Sequence, residues 1–98
     1  MSPESAQQLA DMLRALGHPL RLRIMALLCR GPLHVGALAE RLETGQAVTS
    51  QQLRILRLSR LVGVARLGGQ AVYRLADPHM CEMLGCLARS PWAVKEHR

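Results

Sequence analysis

The chain has 98 residues, with 13 Lys+Arg against 7 Asp+Glu for a net charge of +6, and one Trp, one Tyr and no Phe. That length accommodates one domain, whose thin core must come from aliphatic side chains and five Met. The longest apolar run, Ile24 to Cys29, is six residues, far below the roughly 20 that span a bilayer.

A cytoplasmic location with no membrane partner is expected, because no basic-then-apolar leader opens the sequence. Three Cys, an odd number with no close ladder of spacings, do not make a secreted disulfide framework, so composition alone predicts reduced thiols.

Ser2-Pro3-Glu4 opens the first helix as hydroxyl cap, first-turn proline and acid at the positive dipole end. Leu9, Met12, Leu13 and Leu16 form its apolar stripe, and Gly17-His18-Pro19 ends it. A second helix is predicted from about Pro19 to Cys29. Leu20, Ile24, Leu27 and Leu28 lie on one face and Leu22, Met25 and Cys29 on another, so burial on two sides is expected. Gly31-Pro32 stops it.

A short helix over 35–42 carries Val35, Leu38 and Leu42; the turn Glu43-Thr44-Gly45 leads to a fourth helix over 46–59. Two short helices around a tight Gly-containing turn are a helix-turn-helix pattern, about residues 35–59. Two β-prone runs then flank Gly68-Gly69, which predicts a hairpin over about 61–75, Val64 opposite Tyr73 and Val62 opposite Leu75. Asp77-Pro78 is read as cap and first-turn proline of a last helix over about 78–89, with Met80, Met83, Leu84 and Leu87 as its stripe. The predicted architecture is mainly α with a β-hairpin wing: a winged helix-turn-helix in one domain, dimeric through the first and last helices.

Charge position says more than its total. Between Thr44 and Ala76 there is no Asp or Glu, and Arg54, Arg57, Arg60, Arg66 and Arg74 carry +5 of the net charge. A solvated basic face normally has acids mixed in, so a one-signed stretch points to a polyanion. With Leu53 and Leu56 anchoring the fourth helix, Thr49 lies on the core side. Ala47, Gln51 and Arg54 then point outward, Ser50 and Arg57 along one flank, Val48 and Gln52 along the other. Gln reads adenine, Arg reads guanine or grips phosphate, and small apolar groups touch the thymine methyl. The expected partner is double-stranded DNA, and the expected contacts are Gln46, Ala47, Val48, Ser50, Gln51, Gln52, Arg54 and Arg57, joined by Arg66 and Gln70 at the wing tip.

Three stretches resemble one family, the ArsR/SmtB winged-helix repressors. Leu16-Gly-His-Pro-Leu-Arg-Leu-Arg-Ile24 is similar to its second-helix signature. Gln46-x-x-x-Ser50-Gln51-Gln52-Leu53-x-x-Leu56-Arg57 is similar to its recognition helix, and Leu61-Val62 with Val72-Tyr73-Arg74-Leu75 to its wing strands. The Ser-Gln-Gln-Leu form most resembles the sulfide- and oxidant-responsive subgroup. The resemblance implies a homodimeric repressor, released from its operator when an inducer binds.

Departures from the family pattern are specific. Val48 and Thr49 stand in swapped order, and Arg60 occupies a usual helix-ending Gly position, so either the cap is strained or the turn differs. The family's Cys-x-Cys metal motif is replaced by Ala37-Leu38-Ala39-Glu40. Of its zinc set on the last helix only Asp77 and His79 are present, with Ser90 and Ala93 where the second ligand pair would stand. An N-cap explains Asp77, and a solvent position explains His79.

The subgroup's thiol pair does not transfer residue by residue. Cys29 lies about one turn beyond the first position, and Trp92 is near the second. Cys81 and Cys86 are five apart, about 140° around a helix, so they cannot chelate one ion within it. Two readings of Cys29, Cys81 and Cys86 stand: three small buried hydrophobes, or sensor thiols. In the second, Cys29 links to Cys81 or Cys86 by a disulfide, a polysulfide bridge or a soft metal or metalloid.

No enzyme motif is present: no nucleophile signature, no phosphate-binding loop, and scattered carboxylates. The expected function is a DNA-binding repressor with no required cofactor, whose inducer acts on the cysteines as a soft metal or metalloid, reactive sulfur or oxidant. The alternatives are a winged-helix regulator without a small-molecule sensor, or a protein-interaction module.

Overall fold

A computed structural model describes residues 1–89. Helix α1 (Pro3–Leu16) begins as its sequence dictates, with the Ser2 side chain accepting the Ser5 N–H at 3.0 Å. Helix α2 (Pro19–Leu28) follows after Gly17 and His18. His18 does more than end α1: its Nδ1 accepts the Leu20 N–H at 3.1 Å and caps α2. A two-residue strand β1 (Leu33–His34) comes next, then α3 (Val35–Leu42) and α4 (Gln46–Leu58). The wing is β2 (Val62–Leu67) and β3 (Gln70–Leu75), and α5 (Met80–Ala88) ends the described chain.

The hairpin register is Val62 with Leu75 and Val64 with Tyr73. Gly68 and Gly69 have φ of +57° and +81°, the two left-handed residues of a type I′ turn that Gly adopts without penalty. Strand β1 pairs Leu33 with Tyr73 and His34 with Val72, giving a three-stranded antiparallel sheet in the order β1-β3-β2. Two residues after Gly-Pro show no alternation, which is why this strand is silent in the sequence.

The core is Ala15, Leu16, Ile24, Met25, Leu28, Leu38, Leu42, Leu53, Leu56, Leu61 and Val62. It lies where α2, α3 and α4 meet the base of the wing. The outer helices contribute little: α1 buries only Ala15 and Leu16, and α5 buries no residue completely.

Two helices differ from the sequence expectation. The second face of α2 is covered only in part: Met25 is fully buried, but Leu22 is 40% exposed and lines an apolar groove of about 410 Å³ with Ala26, Leu84 and Leu87. Helix α5 starts at Met80, not at 78. Asp77 instead caps the preceding turn, its carboxylate accepting the His79 N–H at 2.9 Å.

Arg60 keeps the turn of the family pattern and takes the strain. Its φ is +62°; its N–H donates to the Arg57 carbonyl at 3.0 Å and the Leu61 N–H to that of Leu56 at 2.9 Å. Those two bonds make a Schellman cap, which normally has Gly at its left-handed position.

Candidate nucleic-acid interface

Helix α4 is set on the core by its buried residues Thr49, Leu53 and Leu56. Burying one such Leu stabilises the fold by about 1.5–3 kcal/mol, so this face is firmly seated and the opposite one must face out. Thr49 can be buried because its hydroxyl donates to the Gly45 carbonyl at 2.9 Å. Gly45 caps the helix without a side-chain hydrogen bond, leaving the first-turn N–H groups uncovered by any side-chain cap.

Gln46, Ala47, Val48, Ser50, Gln51, Arg54 and Arg57 are exposed along α4, as are Arg66 and Gln70 on the wing. Gln52 differs: it is half-buried, and its Oε1 accepts a hydrogen bond from Arg21 at 2.9 Å. Arg66 folds back on the wing turn, donating to the Gly69 carbonyl at 2.8 Å. Gln46 and Gln70 converge on a notch of about 280 Å³ between α4, the start of α3 and the wing. His34 lines the same notch while its Nδ1 accepts the Ala37 N–H at 3.3 Å. Periodicity signals neither residue: Arg21 bonds Gln52, 31 residues away, and His34 caps α3 from outside its apolar stripe.

The five Arg of the acid-free stretch are all exposed, and none of them forms an ion pair among the described residues. The ion pairs lie elsewhere, Arg14 with Asp11 and His79 with Asp77. The Asp77 carboxyl is held below its ordinary value of 3.8, first by the His79 backbone N–H and then by the His79 ring.

A sequence pattern described as "Bacterial regulatory protein, arsR family" matches residues 18–64, from the cap of α2 into β2. The chain is 43% identical over 85% of its length to the transcriptional repressor SmtB homolog of Synechocystis sp., and spans 63% of that protein. It is 42% identical over 86% of its length to the HTH-type transcriptional regulator NmtR of Mycobacterium tuberculosis, spanning 70% of it. The chain belongs to the arsR family. The homodimeric winged helix-turn-helix DNA-binding domain of Mb0332 from Mycobacterium bovis superposes with a TM-score of 0.78 at 28% identity, over 89% of this chain and 83% of that one. Members of the arsR family are regulators of transcription, not enzymes.

The metal-ligand positions that the resemblance implies are occupied as follows. Asp77 and His79 bond to each other at 3.0 Å with both side chains largely exposed, while Ser90, Trp92 and Ala93 lie outside the described residues. No group of three or more His, Cys, Asp or Glu that could hold a metal ion occurs among the described residues.

A disulfide joins Cys29, just past α2, to Cys81 in the first turn of α5, with the two Cα atoms 5.7 Å apart. Composition alone predicted reduced thiols; the fold instead brings these two half-buried positions within bonding reach. Cys86, five residues on, is exposed. No described helix is long and apolar enough to cross a membrane.

Proposed function

We propose that the chain is a homodimeric, cytoplasmic transcriptional repressor that reads double-stranded DNA with α4 and steadies itself on the backbone with the wing. The observation that carries this reading is the exposed, acid-free face of α4 and the wing, with five Arg that no carboxylate neutralises. Gln51 and Arg54 are the base readers, flanked by Ala47, Val48 and Ser50. Arg57 and Arg66 grip phosphate, Arg66 after leaving the Gly69 carbonyl. Gln46 and Gln70 close on one backbone segment at the notch they share. Gln52 is occupied by Arg21 and supports the reading face rather than extending it.

Dimerisation through α1 and α5 is supported by the apolar side chains that a single chain leaves open, Leu9 at 38%, Leu13 at 47% and Leu87 at 41% exposure. Two recognition helices related by a two-fold axis call for an inverted repeat with half-sites one helical turn apart, or a multiple of that. Selection from a random duplex library tests it: the enriched sequences should form such a repeat, and enrichment of no common sequence would contradict the reading.

Regulation by thiols, as in the sulfide- and oxidant-responsive subgroup, is supported by the Cys29–Cys81 pair. The two thiols lose two electrons and two protons to a hydroperoxide, which leaves as alcohol and water, and the sulfurs join. The link ties α2, which carries the helix-turn-helix core, to the proposed dimer helix, where a shift of an ångström or two re-aims both recognition helices. Oxidation is expected to loosen DNA binding in the wild-type chain and to have no effect in Cys29→Ser. A Cys29→Ser variant that still responds to hydroperoxide would place the switch elsewhere.

A further inference from the structure

Arg21, in the first turn of α2, is half-buried and holds two other helices at once. Its Nε donates to the carbonyl oxygen of Ala15 in α1 at 2.5 Å. One of its terminal nitrogens donates to Oε1 of Gln52 in α4 at 2.9 Å, a bond between residues 31 apart in sequence. The Ala15 carbonyl belongs to the last turn of α1, where carbonyls have no partner in their own helix and a cation is favoured. The guanidinium is planar and rigid, so fixing one of its donors fixes the direction of the other.

Helix α4 is otherwise seated by Thr49, Leu53 and Leu56. Apolar burial fixes which face of the helix points inward, but it is non-directional and leaves the smaller rotations about the axis to be set by polar contacts. A hydrogen bond to a rigid fork specifies them. Gln52 is the neighbour of Gln51, 100° away around the helix, and Arg54 lies two residues further on. Whatever sets the direction of Gln52 therefore sets the aim of both proposed base readers.

We propose that Arg21 is a positioning residue for DNA reading: it locks the rotation of α4 against α1 through Gln52, and sets sequence preference without touching DNA. The inference rests on the DNA-reading function proposed above, and adds to it a determinant of specificity on another helix.

The test uses the duplex enriched by the wild-type chain and a scrambled duplex of equal length. Arg21→Ala and Gln52→Ala are each expected to lower the ratio of the two affinities roughly tenfold, and the double variant no further, as for partners in one interaction. Affinity for the scrambled duplex and the salt slope should stay as in the wild type, because no phosphate contact is lost. Arg21→Lys should stay close to Arg21→Ala, since one ammonium cannot hold both acceptors in a fixed direction.

An unchanged ratio in both Ala variants would overturn the inference while leaving the DNA-reading function in place. So would a salt slope reduced by about one in Arg21→Ala, which marks a direct phosphate contact, or full rescue by Lys. A lowered ratio in Gln52→Ala alone would show that Gln52 reads a base itself. If Arg21→Ala loses its helical circular dichroism, Arg21→Lys decides: a ratio as low as in Gln52→Ala supports the inference, and a wild-type ratio overturns it. A wild-type chain that prefers no sequence would overturn the DNA-reading function and this inference with it.

Discussion

Arg60 occupies a backbone conformation with φ of +62° that Gly adopts far more readily. An L-residue there is strained by roughly 1–2 kcal/mol, so Arg60→Gly is expected to stabilise the isolated domain by about 1 kcal/mol. The melting temperature should rise by roughly 4–8 °C in thermal denaturation, while affinity for any duplex falls if Arg60 meets phosphate. A lower melting temperature would show that Arg60 makes a compensating contact. Asp77 gives a second residue-level expectation. Its folded carboxyl sits below 3.8 because the His79 N–H bonds the charged form; its stabilising contribution is therefore present above the unfolded value and lost as pH falls through the lower folded one. An NMR titration of the Asp77 carboxyl should show a midpoint below 3.8, and an ordinary midpoint would mean the His79 bond is absent in solution. Single residues were the least legible level in the sequence. Periodicity placed Thr49 on the core side, but could not show that its hydroxyl bonds back to Gly45. It assigned Gln52 to the outer flank, because the Arg21 that takes its oxygen lies 31 residues away.

At the scale of elements the sequence was far more explicit. Helices α1 to α4, the Gly68-Gly69 turn and the hairpin register all follow from local rules: caps, apolar spacing and left-handed glycines. Strand β1 escaped because its pairing with Tyr73 and Val72 is wholly non-local. The start of α5 moved because Asp77 caps a turn rather than the helix. The elements proposed to meet DNA divide the work. Gln51→Ala on α4 is expected to relax base preference at one position, with each lost contact equivalent to about 1–3 kcal/mol of discrimination. Arg66→Ala on the wing should weaken binding to all duplexes alike and lower the salt slope by about one. Anisotropy titrations over a salt series distinguish the two, and a reversed pattern would exchange the roles assigned to helix and wing.

The whole molecule is an incompletely buried one. Its core stops at the inner faces of α1 and α5, and their outer stripes, Leu9 and Leu13 on one and Leu87 on the other, remain in solvent. A thin domain built from aliphatic side chains leaves such faces for a second copy. Leu13→Glu or Leu84→Glu should therefore give monomers with poor DNA binding by analytical ultracentrifugation, and a stable dimer carrying both changes would place the interface elsewhere. The Cys29–Cys81 link could not be singled out beforehand, since Cys86 was an equal partner on spacing alone. Only the approach of α2 to α5 decides between them.

The proposed function rests on the exposed face of α4 and the wing reading DNA sequence. Its most direct test is titration of the reduced chain against the enriched duplex and its scrambled counterpart at physiological salt. A Kd of roughly 10⁻⁸ M or tighter is expected for the first, and at least about 10³-fold weaker binding to the second. Equal affinity for the two duplexes would contradict it.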